Sequence, residues 1–199
     1  MSYRETTVEG FLAELSSGAA TPGGGCASAL AGALAAGLVG MVARNTGGLD
    51  ELAAEADELR RQLERLVDAD AAAFEQVMAA FRLPKESPEE KTARSAAIQA
   101  AYRGAVEPPL AVCEAAGRVL ALAAEVAERG NPNAVSDAGV AALLAAGALE
   151  GGALNVEINL GSLRDEAFRQ ERADAVRRLR AEAEPTRERA LGRVRAELG

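Results

Sequence analysis

The sequence predicts an all-α protein, a single-domain bundle of long helices, and three observations carry that reading. Hydrophobic residues make up 49 % of the chain but aromatics only 3 %, with no Trp, so the core must be assembled from Ala, Leu and Val. That set suits closely packed helices and serves a β-sandwich poorly. Apolar residues recur three and four apart over long stretches, the period of a helix with one buried face. A chain of 199 residues buries one sizeable core and divides poorly into two, so residues 1–199 are read as one domain.

The elements follow in order. Thr6-x-x-Glu9 reads as a capping box opening a short amphipathic helix with Phe11, Leu12 and Leu15 on one side, ending near Gly18. A second helix is expected from about Gly24 to Arg44. Its row Ser28, Gly32, Ala36 and Gly40, at i, i+4 spacing, lets another helix approach closely, and such Ala/Gly-rich surfaces are expected to pair two copies of the chain. The third is the most regular, with Leu49, Leu52, Ala56, Leu59, Leu63, Leu66, Asp70, Ala73, Val77 and Ala80 on one heptad-like seam. Asp70 stands there where a hydrophobe belongs.

A loop at FRLPKESPEE leads to Ser87-Pro88-x-Glu90, a second capping box with proline at the first helical position. Pro108-Pro109 is expected to kink or break this fourth helix, because proline lacks the amide donor and disfavours helix in the residue before it. A further helix should then reach Arg129. After the turn-rich GNPNAVSD, the stretch AGVAALLAAGALEGGALNVEINL is apolar almost all round and reads as a buried central helix. From Ser162 onward the chain is highly charged with thinly spaced apolar residues, a solvated helix over the bundle with a possible kink at Pro185.

Charge and composition exclude several functions. A net charge of −8 argues against broad binding to nucleic acid or an anionic membrane surface. With no His and only Cys26 and Cys113 far apart, a Cys/His zinc site is excluded, no metal is expected, and a reducing compartment is implied. The polar start MSYRETTVEG does not resemble a secretory signal, which makes a cytoplasmic location the expectation. The uncharged run from Thr21 to Ala43 is long enough to cross a bilayer, but Ala and Gly dominate it and no aromatic belt flanks it, so no membrane span is expected.

Five groups could carry chemistry. Gly23, Gly24 and Gly25 are either a flexible helix start or a place where a ligand reaches unpaired N–H groups at a helix N-terminus; no G-K-[ST] follows, so this is not a P-loop. A carboxylate on an apolar seam, as at Asp70, must be paired, neutral, or turned into a wet pocket. Asp137 shares a stripe with Ala141, Leu144, Ala148, Gly151, Asn155 and Ile158 and would project toward the same core, although Asn133, Ser136 and Asp137 are equally good helix caps. Asn155 puts an amide on an apolar helix, and a buried amide needs partners. Lys85, one of only two lysines, sits in a proline-held turn, where surface lysines mostly do nothing specific. Without His, acid–base work at neutral pH falls to perturbed carboxylates or a lysine.

The stretches TPGGGCASALAGALAAGLVGMV, DADAAAFEQV, RLPKESPEEK and GNPNAVSDAGVAALLAAGALEGGALNVEINL together resemble the cyclodeaminase domain of formiminotransferase-cyclodeaminase and its stand-alone relatives, including methenyltetrahydrofolate cyclohydrolases. The resemblance covers nearly the whole chain. It implies an all-helical homodimer with a folate pocket, in which Asp137 and Asp70 are catalytic and Gly23, Gly24, Gly25, Lys85, Asn133, Ser136 and Asn155 bind substrate. The substrate is a tetrahydrofolate derivative, and no further cofactor is implied. The implied reaction is cyclisation of 5-formimidoyltetrahydrofolate to 5,10-methenyltetrahydrofolate with release of ammonia. Two alternatives stand beside it: hydrolysis of the methenyl bridge to the 10-formyl product, and a non-catalytic helical interaction module. One departure is plain, since relatives commonly carry Ser where this chain has Cys26.

Overall fold

The computed structural model describes residues 2–199 and consists of six α-helices with two short 3-10 turns and, among the described residues, no strand. The helices are α1 (Val8–Ser16), α2 (Gly24–Arg44), α3 (Asp50–Phe81), α4 (Pro88–Arg129), α5 (Val135–Leu160) and α6 (Glu166–Leu198). α5 lies against α2, α4 and α6, while α3 packs on α2 and α4. The buried core is built from Ala, Val and Leu of α2 to α5, including Ala36, Val39, Leu63, Val119, Ala142 and Ala145.

Small side chains set the helix spacing. A Cβ at Gly152 of α5 would stand 2.8 Å from Cys113 Sγ and 2.9 Å from the Pro109 carbonyl oxygen, so glycine lets α4 and α5 approach until their backbones nearly touch. The row Ser28, Gly32, Ala36 and Gly40 serves the same purpose inside one chain. A Cβ on Gly32 would meet Leu63 and Ala148, and one on Gly40 would meet Arg44, Asp57 and Ala56. The row therefore packs α2 onto α3 and α5, and it is not the free surface that the spacing alone suggested.

Three other expectations change. The first helix is capped by Thr7, whose hydroxyl accepts from Gly10 N–H at 3.0 Å, because the Thr6 hydroxyl is turned back to the Tyr3 carbonyl at 2.7 Å. α4 does not break at Pro108-Pro109 but runs as one helix of 42 residues from Pro88 to Arg129. Pro109 cannot donate to the Ala105 carbonyl one turn earlier, and Asn159 Nδ2 of α5 donates to that oxygen instead, at 2.8 Å. Pro108 leaves the carbonyl of Gly104 without its helical donor, at a solvent-exposed residue. α6 likewise runs through Pro185 as one helix.

The second capping box is formed as expected, with Ser87 Oγ accepting from Glu90 N–H at 3.1 Å and Glu90 accepting from Ser87 N–H at 3.0 Å. α6 buries Phe168, Val176, Ala190 and Val194 and is tied down by ion pairs. Arg180 forms a fork on Glu150 at 2.6 and 2.8 Å and also meets Glu157, and Arg172 reaches Glu107 at 3.0 Å. α2 and α5 are each long and apolar enough to cross a membrane, and half or more of each apolar stretch is buried inside the bundle.

Candidate active site

The N-terminus of α2, the middle of α3 and the C-terminal half of α5 converge on a cleft of about 320 Å³, with α4 as its further wall. Each side chain arrives for a local reason. Gly23 caps α2 without a side-chain hydrogen bond, leaving first-turn N–H groups open at the positive end of the helix. Asp70 comes from the α3 seam and meets this helix start directly: a Cβ at Gly25 would overlap the Asp70 carboxylate, so only glycine permits the approach. Gly24 lies beside Asn155, whose Nδ2 would stand 3.4 Å from a Cβ there. Asn155 Nδ2 donates to the Gly151 carbonyl at 2.8 Å, which fixes the amide and leaves its oxygen for the cleft.

Asp70 is half-buried, and its proton affinity is raised above the ordinary carboxylate range by burial, against the lowering effect of hydrogen bonds from the Cys26 thiol and backbone amide. Cys26 Sγ lies 3.3 Å from Asp70 Oδ2 and 3.3 Å from the Val67 carbonyl oxygen. Burial pushes that thiol up to about 12, so it stays protonated and acts as a donor. Among the described residues, Asp70 is the single charged residue lining the cleft, and no basic side chain lines it. Phe74, one turn after Asp70, and Tyr102 of α4 supply flat apolar walls, with Phe81 edge-on to Tyr102 at 6.2 Å between ring centres. Among the described residues no cluster of three or more metal-ligating side chains occurs.

The structure therefore brings together Gly23, Gly24, Gly25, Asp70 and Asn155 and leaves the other four candidates apart. Asp137 lies in the first turn of α5, half-exposed, and 18 residues of helix put it about 27 Å from Asn155. Its shared stripe with Asn155 is real, but the length of the helix separates the two ends within one chain. Ser136 and Asn133 are exposed at the same far end, where Asn133 N–H donates to Asn131 Oδ1 at 3.0 Å, and Lys85 is exposed in the α3–α4 loop. Reasoning from sequence missed Phe74, Tyr102, Asn159 and Ser162. A signal existed for two of them: Phe74 is four after Asp70 and Asn159 four after Asn155, each on the face of a residue already singled out.

A helical bundle holding one half-buried carboxylate at a helix N-terminus, in a cleft with aromatic walls, defines an enzyme-like pocket. Residues 7–178 match the family model described as Formiminotransferase-cyclodeaminase, and the chain belongs to that family of folate one-carbon enzymes. It is 43 % identical to a methenyltetrahydrofolate cyclohydrolase of Methylorubrum extorquens, over 96 % of this chain and 97 % of that protein. It is 34 % identical to the formimidoyltransferase-cyclodeaminase of Mus musculus, over 98 % of this chain but 38 % of that longer protein. Among solved structures, a formiminotetrahydrofolate cyclodeaminase from Thermotoga maritima superposes with a TM-score of 0.88 at 26 % identity, covering 98 % of each chain.

Proposed function

We propose that the protein is a methenyltetrahydrofolate cyclohydrolase, adding water to 5,10-methenyltetrahydrofolate to give 10-formyltetrahydrofolate. The observation that carries this reading is the charge of the cleft: among the described residues its lining holds one carboxylate, Asp70, and no cation, which suits a substrate whose reacting carbon is itself a cation. The flat ring system lies against Phe74 and Tyr102, and Asn155 and the open amides of the α2 start supply polar contacts. Ionised Asp70 takes a proton from water as its oxygen bonds to the bridging carbon, then returns that proton to N5 as the carbon–N5 bond breaks. The formyl group remains on N10, and one proton is released overall.

Cyclodeamination of 5-formimidoyltetrahydrofolate is the second reading, and the Thermotoga maritima structure, matched over 98 % of its chain, favours it. There N10 attacks the formimidoyl carbon, and Asp70 in its acid form protonates the departing ammonia. The Methylorubrum extorquens relative, similar over its whole length and at higher identity, tips the choice to water as nucleophile. Assaying the purified protein on both substrates decides. Turnover of the methenyl compound alone is expected; turnover of the formimidoyl compound alone would reverse the assignment.

The same reading takes the protein as a cytoplasmic homodimer. Two free, buried cysteines accord with a reducing compartment. The outward faces of α2 and α5 carry Leu34, Leu143, Leu154 and Ile158 at 54 to 73 % exposure, apolar side chains that a second copy would cover. Ile158 also lines the cleft, so the face runs into its rim. In an antiparallel pairing about a two-fold axis near Gly147, Asp137, ten residues before it, would meet the partner's cleft rim at Ile158, eleven after.

A further inference from the structure

Cys26 is the one buried nucleophilic group at the cleft that the proposed chemistry leaves unused. It is fully buried, at the third position of α2, and its thiol is within 3.3 Å of two acceptors on α3, Asp70 Oδ2 and the Val67 carbonyl. A thiol carries a single proton, so it serves one acceptor at a time. Beside it, Gly25 gives the carboxylate space that any Cβ would fill.

We propose that Cys26 is a positioning residue for Asp70: its S–H pins Oδ2 of the carboxylate against the start of α2 while Asp70 is ionised, and turns to the Val67 carbonyl once Asp70 has accepted a proton. This rests on the reading of Asp70 as the group that moves the proton. A thiol is a weaker donor than a hydroxyl. It therefore holds the carboxylate in one orientation while stabilising the charge less than serine would, which leaves Asp70 a stronger base than it would be beside serine. No electrons move and no bond to sulfur forms.

The surroundings leave few competing influences. From α4 the titratable group facing Asp70 is Tyr102, and from α5 only the amides of Asn155 and Asn159 face the cleft. On α3 itself, Asp68 is turned away to Ser2 Oγ at 2.7 Å, the Tyr3 amide at 2.6 Å and Arg4 at 3.5 Å.

The test compares the wild-type protein with Cys26→Ser and Cys26→Ala. The side-chain carboxyl of Asp70 is followed by carbon NMR in protein labelled at aspartate, its signal assigned by its loss in Asp70→Asn. Removing the donor should move the Asp70 titration upward in C26A, and the stronger hydroxyl should move it downward in C26S, each by about half a pH unit or more. The acid limb of kcat/KM should move in the same two directions. In C26A kcat should fall about 10-fold with KM little altered, as expected for lost orientation. Coincident titrations in all three folded proteins would overturn the proposal, as would equal shifts in the same direction for Ser and Ala. Because the NMR titration needs no substrate, a protein inactive on both folates would remove the proposed function while leaving the Cys26–Asp70 coupling still measured.

Discussion

Two opposing effects meet at Asp70. Burial favours the neutral acid, the Cys26 thiol and amide favour the carboxylate, and burial prevails, so the folded protein holds this proton more tightly than the unfolded chain does. Stability contributed by this raised proton affinity is complete at pH values below the unfolded aspartate range and is lost as pH rises through the folded value. Above the folded value, where Asp70 is ionised, burial weighs against the charged carboxylate. Replacing it with Asn removes the ionisation, so Asp70→Asn should be more stable than wild type at pH 7, with the difference shrinking as pH falls toward 4. Urea denaturation across that range checks this, and a variant less stable than wild type at pH 7 would mean that the carboxylate is held by a partner stronger than those described.

At the scale of elements, the bundle was legible where side-chain period and capping agree, and illegible where a distant residue intervenes. The start of α2 at Gly24 and its end at Arg44 coincide with the expectation, and Ser87-Pro88-x-Glu90 opens α4 as its spacing demands. The continuity of α4 was not readable, because the donor replacing the Pro109 amide is Asn159, fifty residues later in the chain. The cleft followed the same rule. Gly25 and Asp70 were visible as anomalies, a glycine run at a helix start and an acid on an apolar seam. Tyr102 carried no local anomaly and became part of the site only through the packing of α4 on α3. Asn159→Ala should leave the buried Ala105 carbonyl without a partner and destabilise the protein by about 1–3 kcal/mol. Pro109→Ala restores the amide, so the same Asn159→Ala change made in that background should cost markedly less. Equal costs in both backgrounds, read from denaturation midpoints, would show that Asn159 does not repair the helix.

At the scale of the whole molecule, exposed apolar side chains of α2 and α5 reach the cleft at Ile158, and Asp137 stands at the opposite end of α5. Pairing two copies would unite Asp70 of one with Asp137 of the other. Sedimentation at micromolar concentration should then give twice the 20.5 kDa chain mass. Mixing Asp70→Asn with Asp137→Asn protein and allowing subunits to exchange should restore activity to about a quarter of wild type, since half the dimers are mixed and each has one intact site. No recovery in a mixture shown to exchange would place both acids in the same subunit's site or remove Asp137 from catalysis. The proposed chemistry requires that folate react in the cleft around Asp70. The most direct measurement is the turnover number on 5,10-methenyltetrahydrofolate for the wild-type protein and for Asp70→Asn at equal, verified folding. A fall of about 100-fold or more is predicted for a residue that moves the proton, and an Asp70→Asn protein within twofold of wild type would contradict the account.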